Sequence, residues 1–161
     1  ANIGNMLWNF RMLQLWVNND KNKDIKDKSD LKDMNKTMTA REASMLSPLQ
    51  LAYIGDAVYE LFIRTYLLQS NKPVHELHKE ATHYVKAKAQ SDIIHFLSED
   101  LTEEEITIVK RGRNAKTYSS PKNADIIDYK YATGFETLVG FLYLTGEDGR
   151  MMELFNKIVS H

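Results

Sequence analysis

The chain has no cysteine, only 3 prolines and 7 glycines in 161 residues, and no long uninterrupted apolar run. Without cysteine it can form neither a disulfide nor a thiolate zinc site, which fits a reducing compartment. Charged residues interrupt every apolar stretch before the about 18 residues that a membrane span requires, and the N-terminus lacks the pattern of a secretion signal. We therefore expect a cytoplasmic protein with no membrane partner.

The net charge of -1 gives the chain no general excess of positive charge. Proteins that bind nucleic acid through their overall charge are strongly basic, so that class is excluded here. Any binding to RNA or DNA has to come from a local basic patch.

Composition divides the chain near residue 45. Residues 6–17 are apolar, and residues 18–37 consist almost entirely of Asn, Lys, Asp and Ser. Such a polar stretch buries too little apolar surface to fold alone, although its alternating charges also fit a solvated helix face. We expect an N-terminal extension over residues 1–45 and one folded domain over residues 46–161.

The folded domain carries the apolar spacing of amphipathic helices and no alternating strand pattern, so the predicted class is all-α. Caps, Pro48, Gly112 and Gly146 mark several helix ends. The predicted helices run from Ser47 to Leu68, Val74 to Leu97, Thr102 to about Arg111–Gly112, Ala124 to Leu144 and Met151 to Val159.

Asp56 is an acid within a predicted helix, Leu49 to Leu68, that is apolar almost all round. A carboxylate there costs stability unless a cation compensates it; the alternatives are a surface position or a pair with Arg64. Gly55, directly before it, is typical of a close approach by another chain or a ligand. A helix that is apolar on every side needs more than one partner surface, which favours a homodimer.

Glu136 is a second acid in an apolar helix. Its neighbours on the same helical face are small or apolar and predict a recess: Ala132, Thr133, Val139 and Gly140. Two such acids on packed helices could share a divalent cation, and a site with only oxygen ligands suits magnesium or manganese. The alternative, two unrelated acids at the edge of the core, remains open on spacing alone.

A basic loop at residues 110–123 is the strongest candidate for phosphate contact. Its candidate RNA-binding residues are Lys110, Arg111, Arg113, Asn114, Lys116 and Lys122. The alternative is that the first bases only match the helix dipole. A stripe on the second helix, His75, His78, Lys79, Thr82 and Lys86, is a further candidate RNA-facing edge, in which we single out His78 and Lys79. A solvated face is the alternative, and no third ligand supports a His75–His78 metal site.

Four motifs together resemble Mini-ribonuclease III, the short bacterial branch of the ribonuclease III family: Asp56 within YIGDAVYE, the RGRNAK loop, PKN at Pro121–Asn123, and Glu136 within FETLVGFLYL. The resemblance covers about Leu46 to Val159. It implies a homodimeric helical bundle like a ribonuclease III catalytic domain. The implied activity is Mg²⁺-dependent hydrolysis of double-stranded RNA, with Mn²⁺ as a substitute, that leaves 5′-phosphate and 3′-hydroxyl ends. The implied role is maturation of large-subunit (23S) ribosomal RNA, with precursor ribosomal RNA and a ribosomal protein as partners.

Asp56 and Glu136 match the family's conserved acids, so the resemblance makes both of them catalytic residues and metal ligands. The larger enzymes carry further acids where this chain has Leu49, Ala52 and Thr133. That difference leaves the number of metal ions in doubt and keeps an alternative, a non-catalytic RNA-binding or ribosome-assembly module on the same fold. The larger enzymes also append a double-stranded-RNA-binding domain, and none follows here, so we expect the catalytic domain to hold RNA by itself.

Overall fold

The computed structural model describes residues 37–116 and 125–161, and every regular element within these ranges is helical. In chain order the helices are α1 (Ala40–Met45), α2 (Pro48–Leu68), α3 (Val74–Val85), α4 (Ala87–Phe96), α5 (Glu103–Arg113), α6 (Ile126–Thr145) and α7 (Asp148–Ser160), with a 3₁₀ turn at Leu97–Glu99. The predicted all-α class is confirmed. None of these helices combines the length and apolar character that crossing a membrane requires.

Side-chain caps define where several helices begin. In a capping box, the N-cap side chain accepts from a backbone N–H one turn later, and that residue's side chain accepts from the N-cap N–H. The pairs are Thr39 with Glu42 at α1, Ser47 with Gln50 at α2, and Thr102 with Glu105 at α5. Helix α6 ends at Gly146, whose φ of 73° lies in the left-handed region that glycine adopts without strain. The predicted starts of α2 and α5 and the predicted stop at Gly146 are confirmed.

Helix α6 is central to the bundle and contacts α1, α2, α4, α5 and α7. Its crossing with α2 is close enough to require glycine on both sides. A Cβ atom on Gly55 would lie 1.8 Å from the carbonyl oxygen of Glu136, and one on Gly140 would lie 2.0 Å from that of Leu51. The two helices therefore touch backbone to backbone. The close approach predicted at Gly55 is real, but it comes from another helix of the same chain.

Aromatic rings and one ion pair hold the remaining helices around α6. The rings of Tyr59 and Phe135 meet edge to face with centroids 4.8 Å apart, and Phe62 packs on Phe155 of α7 at 4.2 Å. Helix α7 is also joined to α5, because the Arg150 Nε donates to the buried Glu105 carboxylate at 2.8 Å. Charge-assisted hydrogen bonds of this kind satisfy a buried carboxylate that would otherwise destabilise the core.

The single helix predicted from Val74 to Leu97 is wrong, because the structure divides it into α3 and α4. Lys86 adopts an extended backbone conformation with φ -66° and ψ 149° and ends one helix where the next begins. The break also changes which face of the second half points inward. Ala89 and Ile93, whose spacing would place them on the apolar face of an unbroken helix, are only half-buried. The buried residues of α4 are instead Gln90, Ser91 and Ile94.

Residues 37–45 pack on the same helical body. The Met38 N–H donates to the Leu144 carbonyl at 2.8 Å, and Ala43 of α1 is fully buried. The domain boundary at residue 45 remains a prediction, and residues 1–36 lie outside the described ranges.

Candidate active site and nucleic-acid interface

The crossing of α2 and α6 brings Asp56 and Glu136 together. Asp56 follows Gly55 directly, and Gly55 abuts the backbone of Glu136 itself. The Glu136 side chain is partly buried, and the residues predicted to form its recess are all buried: Ala132, Thr133, Val139 and Gly140. The Asp56 side chain is exposed. One acid thus lies in a recess and the other at its open side.

The proximity of the two carboxyl groups affects their protonation. Burial, and after it the negative charge of Asp56, raises the pKa of Glu136 from 4.5 to about 8. Partial burial and the charge of Glu60 raise the pKa of Asp56 as well. Asp56 remains largely open to water, so most of the electrostatic cost falls on Glu136. A divalent cation between the two groups would remove both the repulsion and the desolvation cost.

No cation among the described side chains neutralises this pair. Arg64, the alternative partner considered for Asp56, instead donates from Nε to Glu60 at 3.2 Å, one turn away on the same helix. The described residues also contain no cluster of three or more His, Asp or Glu that could hold a metal. The donor set is therefore two carboxylates, which fits an ion such as Mg²⁺ that keeps several water ligands.

The positions that are acidic in the larger relatives add no ligand here. Ala52 and Thr133 are buried, and the Thr133 hydroxyl donates to the Tyr129 carbonyl within α6. Leu49 is 37% exposed and apolar. Further oxygen ligands would have to come from water or from a bound phosphate.

Gln90 of α4 is a polar residue at this site that the sequence analysis missed. It is 1% exposed, and its amide faces Glu136 closely enough to lower the pKa of that carboxyl group. Nothing in the surrounding stretch AKAQSDII, which mixes apolar, polar and charged residues, marks this glutamine as buried. The helical phase that turns it inward becomes visible only once the break at Lys86 is known.

The basic candidates at the end of α5 have two different environments. Arg111 is engaged within the fold, because its Nη2 donates to the Ser44 and Leu46 carbonyls at 3.0 and 3.3 Å. Arg113 lies over the Tyr131 ring at 5.5 Å from the centroid, and its Nε donates to the Asn114 side chain at 3.3 Å. The Arg111 side chain therefore joins the end of α5 to the end of α1.

The other candidates lie on the surface or outside the described ranges. Lys110, Asn114 and Lys116 are exposed at or just beyond the end of α5, and Lys122 lies outside the described residues. On α3, His78 and Lys79 are both exposed. The assignment of all eight residues to RNA binding remains a prediction.

An exposed apolar patch lies beside the two acids. Tyr53 is 80% exposed and lies one turn before Asp56, and Met45 just before α2 is 81% exposed. Next to Tyr53 is a shallow groove lined by Met38, Leu46, Leu49, Gln50, Ile54 and Leu144. We call Tyr53, Met45 and this groove the Tyr53 patch.

Comparisons with known proteins show the family to which the chain is similar. Residues 49–147 match the family described as Ribonuclease III domain. Proteins named Mini-ribonuclease 3 are similar to the chain: that of Clostridium tetani is 49% identical over 79% of this chain and 85% of its own length, and that of Enterococcus faecalis is 51% identical over 72% and 90%. A crystal structure of a Fusobacterium nucleatum protein matches with a TM-score of 0.67 and 36% identity, covering 72% of this chain and 93% of that one.

Proposed function

The chain belongs to the ribonuclease III family of endoribonucleases, and from this premise we propose that it cleaves double-stranded RNA in a metal-dependent reaction at Asp56 and Glu136. The observation that carries the proposal is the α2–α6 crossing, which holds an exposed and a recessed carboxyl group side by side without a compensating cation among the described side chains. Two unrelated acids at the edge of the core would not be close enough for the charge of Asp56 to raise the pKa of Glu136.

Asp56 and Glu136 would hold Mg²⁺, or Mn²⁺ in its place, through their carboxylate oxygens. When bound, the ion supplies an activated water and offsets the charge that develops on the phosphate. Glu136 must lose its proton before it can bind a cation, so its raised pKa makes metal binding stronger as pH rises toward about 8. Hydrolysis adds hydroxide to phosphorus and a proton to the 3′ oxygen, which leaves 5′-phosphate and 3′-hydroxyl ends without a covalent enzyme intermediate.

The basic residues that follow α5 would position the RNA backbone. A-form RNA presents phosphates and 2′-hydroxyls across a wide, shallow minor groove, so a surface of well-spaced cations suits it. Arg113 already packs on Tyr131 of α6, the helix that carries Glu136, and this contact ties the basic end of α5 to the catalytic helix. We assign phosphate contact to Lys110, Arg111, Arg113, Asn114, Lys116 and Lys122, with His78 and Lys79 as a second edge.

We further propose a homodimer formed through the Tyr53 patch. A tyrosine that is 80% exposed lies next to an apolar groove, and exposed apolar patches commonly mark protein–protein contacts. The patch lies on α2, beside Asp56, so a second copy seated there would bring two sites into one assembly. Two such sites fit the two strands of a duplex.

The resemblance to the Mini-ribonuclease III branch supports the natural substrate that we propose, a precursor of large-subunit (23S) ribosomal RNA processed in the cytoplasm. A ribosomal protein is the further partner that we propose, on the same basis.

Incubation of the purified protein with duplex and single-stranded RNA, with and without Mg²⁺, tests the activity. We expect cleavage of the duplex only with Mg²⁺, and none by Asp56→Asn or Glu136→Gln, while folding and RNA binding are kept. Glu60→Gln is the matched control, since Glu60 lies one turn from Asp56 and pairs with Arg64. It should cleave at close to the wild-type rate.

Wild-type cleavage by either variant would contradict the assigned site. A wild-type protein that binds duplex RNA and cuts none at any Mg²⁺ concentration would favour the alternative, a non-catalytic RNA-binding or ribosome-assembly module.

A further inference from the structure

We propose that Gln90 is a positioning residue for the Asp56–Glu136 pair. When a cation is bound, its side-chain NH₂ would donate to the Glu136 carboxylate and its Oε1 would accept from a water molecule at the site. This inference rests on the proposed function and deepens it. It adds a third side chain, from a third helix, to a site otherwise built from α2 and α6.

The first argument is the burial of the Gln90 amide. Gln90 is 1% exposed, and neither its Nε2 nor its Oε1 makes a hydrogen bond of standard geometry with a described residue. A buried amide without partners destabilises a fold, and an apolar side chain of similar shape would remove that cost. A glutamine buried in such a position therefore indicates at least one partner beyond the described protein atoms.

The second argument is the direction in which the amide faces. Helix α4 packs directly on α6, and the Gln90 side chain interacts with the Glu136 carboxyl group. With a cation bound, Glu136 is ionised and only accepts hydrogen bonds, so the group of Gln90 that then faces it is the NH₂. The carbonyl oxygen then points away from Glu136 and needs a donor of its own. Mg²⁺ keeps several water ligands, and a water molecule on the ion would provide that donor.

The third argument is how α4 is held. Helix α4 packs against α6, and Ile94, one turn after Gln90, is buried on the same side. The extended backbone at Lys86 separates α4 from α3 and sets the rotation that turns Gln90 inward. Loss of a group that orients a metal-binding carboxylate in this way commonly lowers metal affinity by roughly 10- to 100-fold.

Binding of MnCl₂ to the purified full chain, followed by the electron paramagnetic resonance signal of free Mn²⁺, tests the inference together with thermal unfolding. Gln90→Met keeps the length of the side chain and removes the amide. We expect its Mn²⁺ affinity to fall about 10-fold or more and its metal-free melting temperature to equal or exceed that of the wild type. Its half-saturating Mg²⁺ concentration in cleavage should rise by the same factor, with the KM for RNA unchanged.

Ile94→Met is the matched control, a buried substitution one turn away on α4. It should bind Mn²⁺ with wild-type affinity. Wild-type Mn²⁺ affinity in Gln90→Met, or an equal loss in Ile94→Met, would overturn the inference, and the latter would point to general repacking of the helix.

A measurement on the wild-type protein covers the case in which Gln90→Met does not fold. The side-chain NH₂ signal of Gln90 in a ¹⁵N-correlated NMR spectrum should shift on addition of MgCl₂ and become protected from solvent exchange, whereas it should not respond in Asp56→Asn. An unchanged Gln90 signal in a protein whose other site residues respond to Mg²⁺ would refute the inference alone. Absence of any Asp56-dependent Mg²⁺ or Mn²⁺ binding would refute the proposed function with it.

Discussion

Replacement of Glu136 by glutamine should stabilise the metal-free protein at pH 8 and have little effect at about pH 5. In the folded protein the pKa of Glu136 is about 8, against an ordinary value of 4.5. The folded state therefore holds a proton that the unfolded chain has lost. The stability associated with this proton is fully present below pH 4.5 and is lost as pH rises through 8.

The size of the effect follows from the same two pKa values. Each pH unit within that interval lowers the wild-type free energy of unfolding by about 1.4 kcal/mol relative to the glutamine variant. The whole interval sets an upper limit of about 5 kcal/mol, and partial exposure of the side chain reduces the expected difference to about 2–4 kcal/mol. For a protein of this size, such a difference in the free energy of unfolding corresponds to a melting temperature about 5–10 °C higher for Glu136→Gln than for the wild type at pH 8.

Urea unfolding in EDTA, followed by circular dichroism, measures this difference across the pH range. The comparison of wild type with Glu136→Gln cancels every other titrating group. Glu104→Gln, an exposed glutamate at the start of α5, is the control and should run parallel to the wild type. Added Mg²⁺ should reverse the order at pH 8, because only the wild type gains from binding. Parallel curves for wild type and Glu136→Gln would refute the reasoning.

Three further predictions concern the packing, the RNA surface and the assembly. Gly55→Ala places a Cβ against the α6 backbone and should cost about 1–3 kcal/mol or more of stability in urea unfolding, whereas Gly149→Ala, where a Cβ meets nothing within 4 Å, should not destabilise. Arg113→Ala with Lys116→Ala should weaken duplex binding and flatten its log–log salt dependence by about 0.7–0.9 per lost contact; an unchanged slope would show that neither residue contacts phosphate. Tyr53→Lys should give a folded monomer in analytical ultracentrifugation at micromolar concentration, and a persistent dimer would place the interface elsewhere.

Helix ends were predictable where the signal is local. The capping box at Thr102 and the stop at Gly146 act through hydrogen bonds within one turn, so neighbouring residues contain the whole cause. The break at Lys86 has no such signal, since no proline or glycine marks it. It exists because α3 packs on α2 while α4 packs on α6. A periodic apolar pattern does not record which neighbour each half contacts.

The same distinction applies to the site. The apolar surroundings and the resemblance pointed to Asp56 and Glu136, but their proximity arises from helices far apart in the chain. Gln90 was missed because its burial depends on the rotation of α4 after the break. The contact of Arg111 with the Ser44 carbonyl also joins residues 67 positions apart. From the sequence alone, the charge of Arg111 was visible but this contact was not.

The glycine contact between α2 and α6 also bears on protein engineering. Since the two backbones touch at Gly55 and Gly140, backbone contact fixes the spacing of the two acids at the crossing itself. Core positions such as Phe62 and Phe155 can be redesigned for heat resistance without moving the acids apart, whereas one methyl group at the crossing separates them. A search for a more heat-resistant variant should therefore randomise the aromatic core and leave the crossing unchanged.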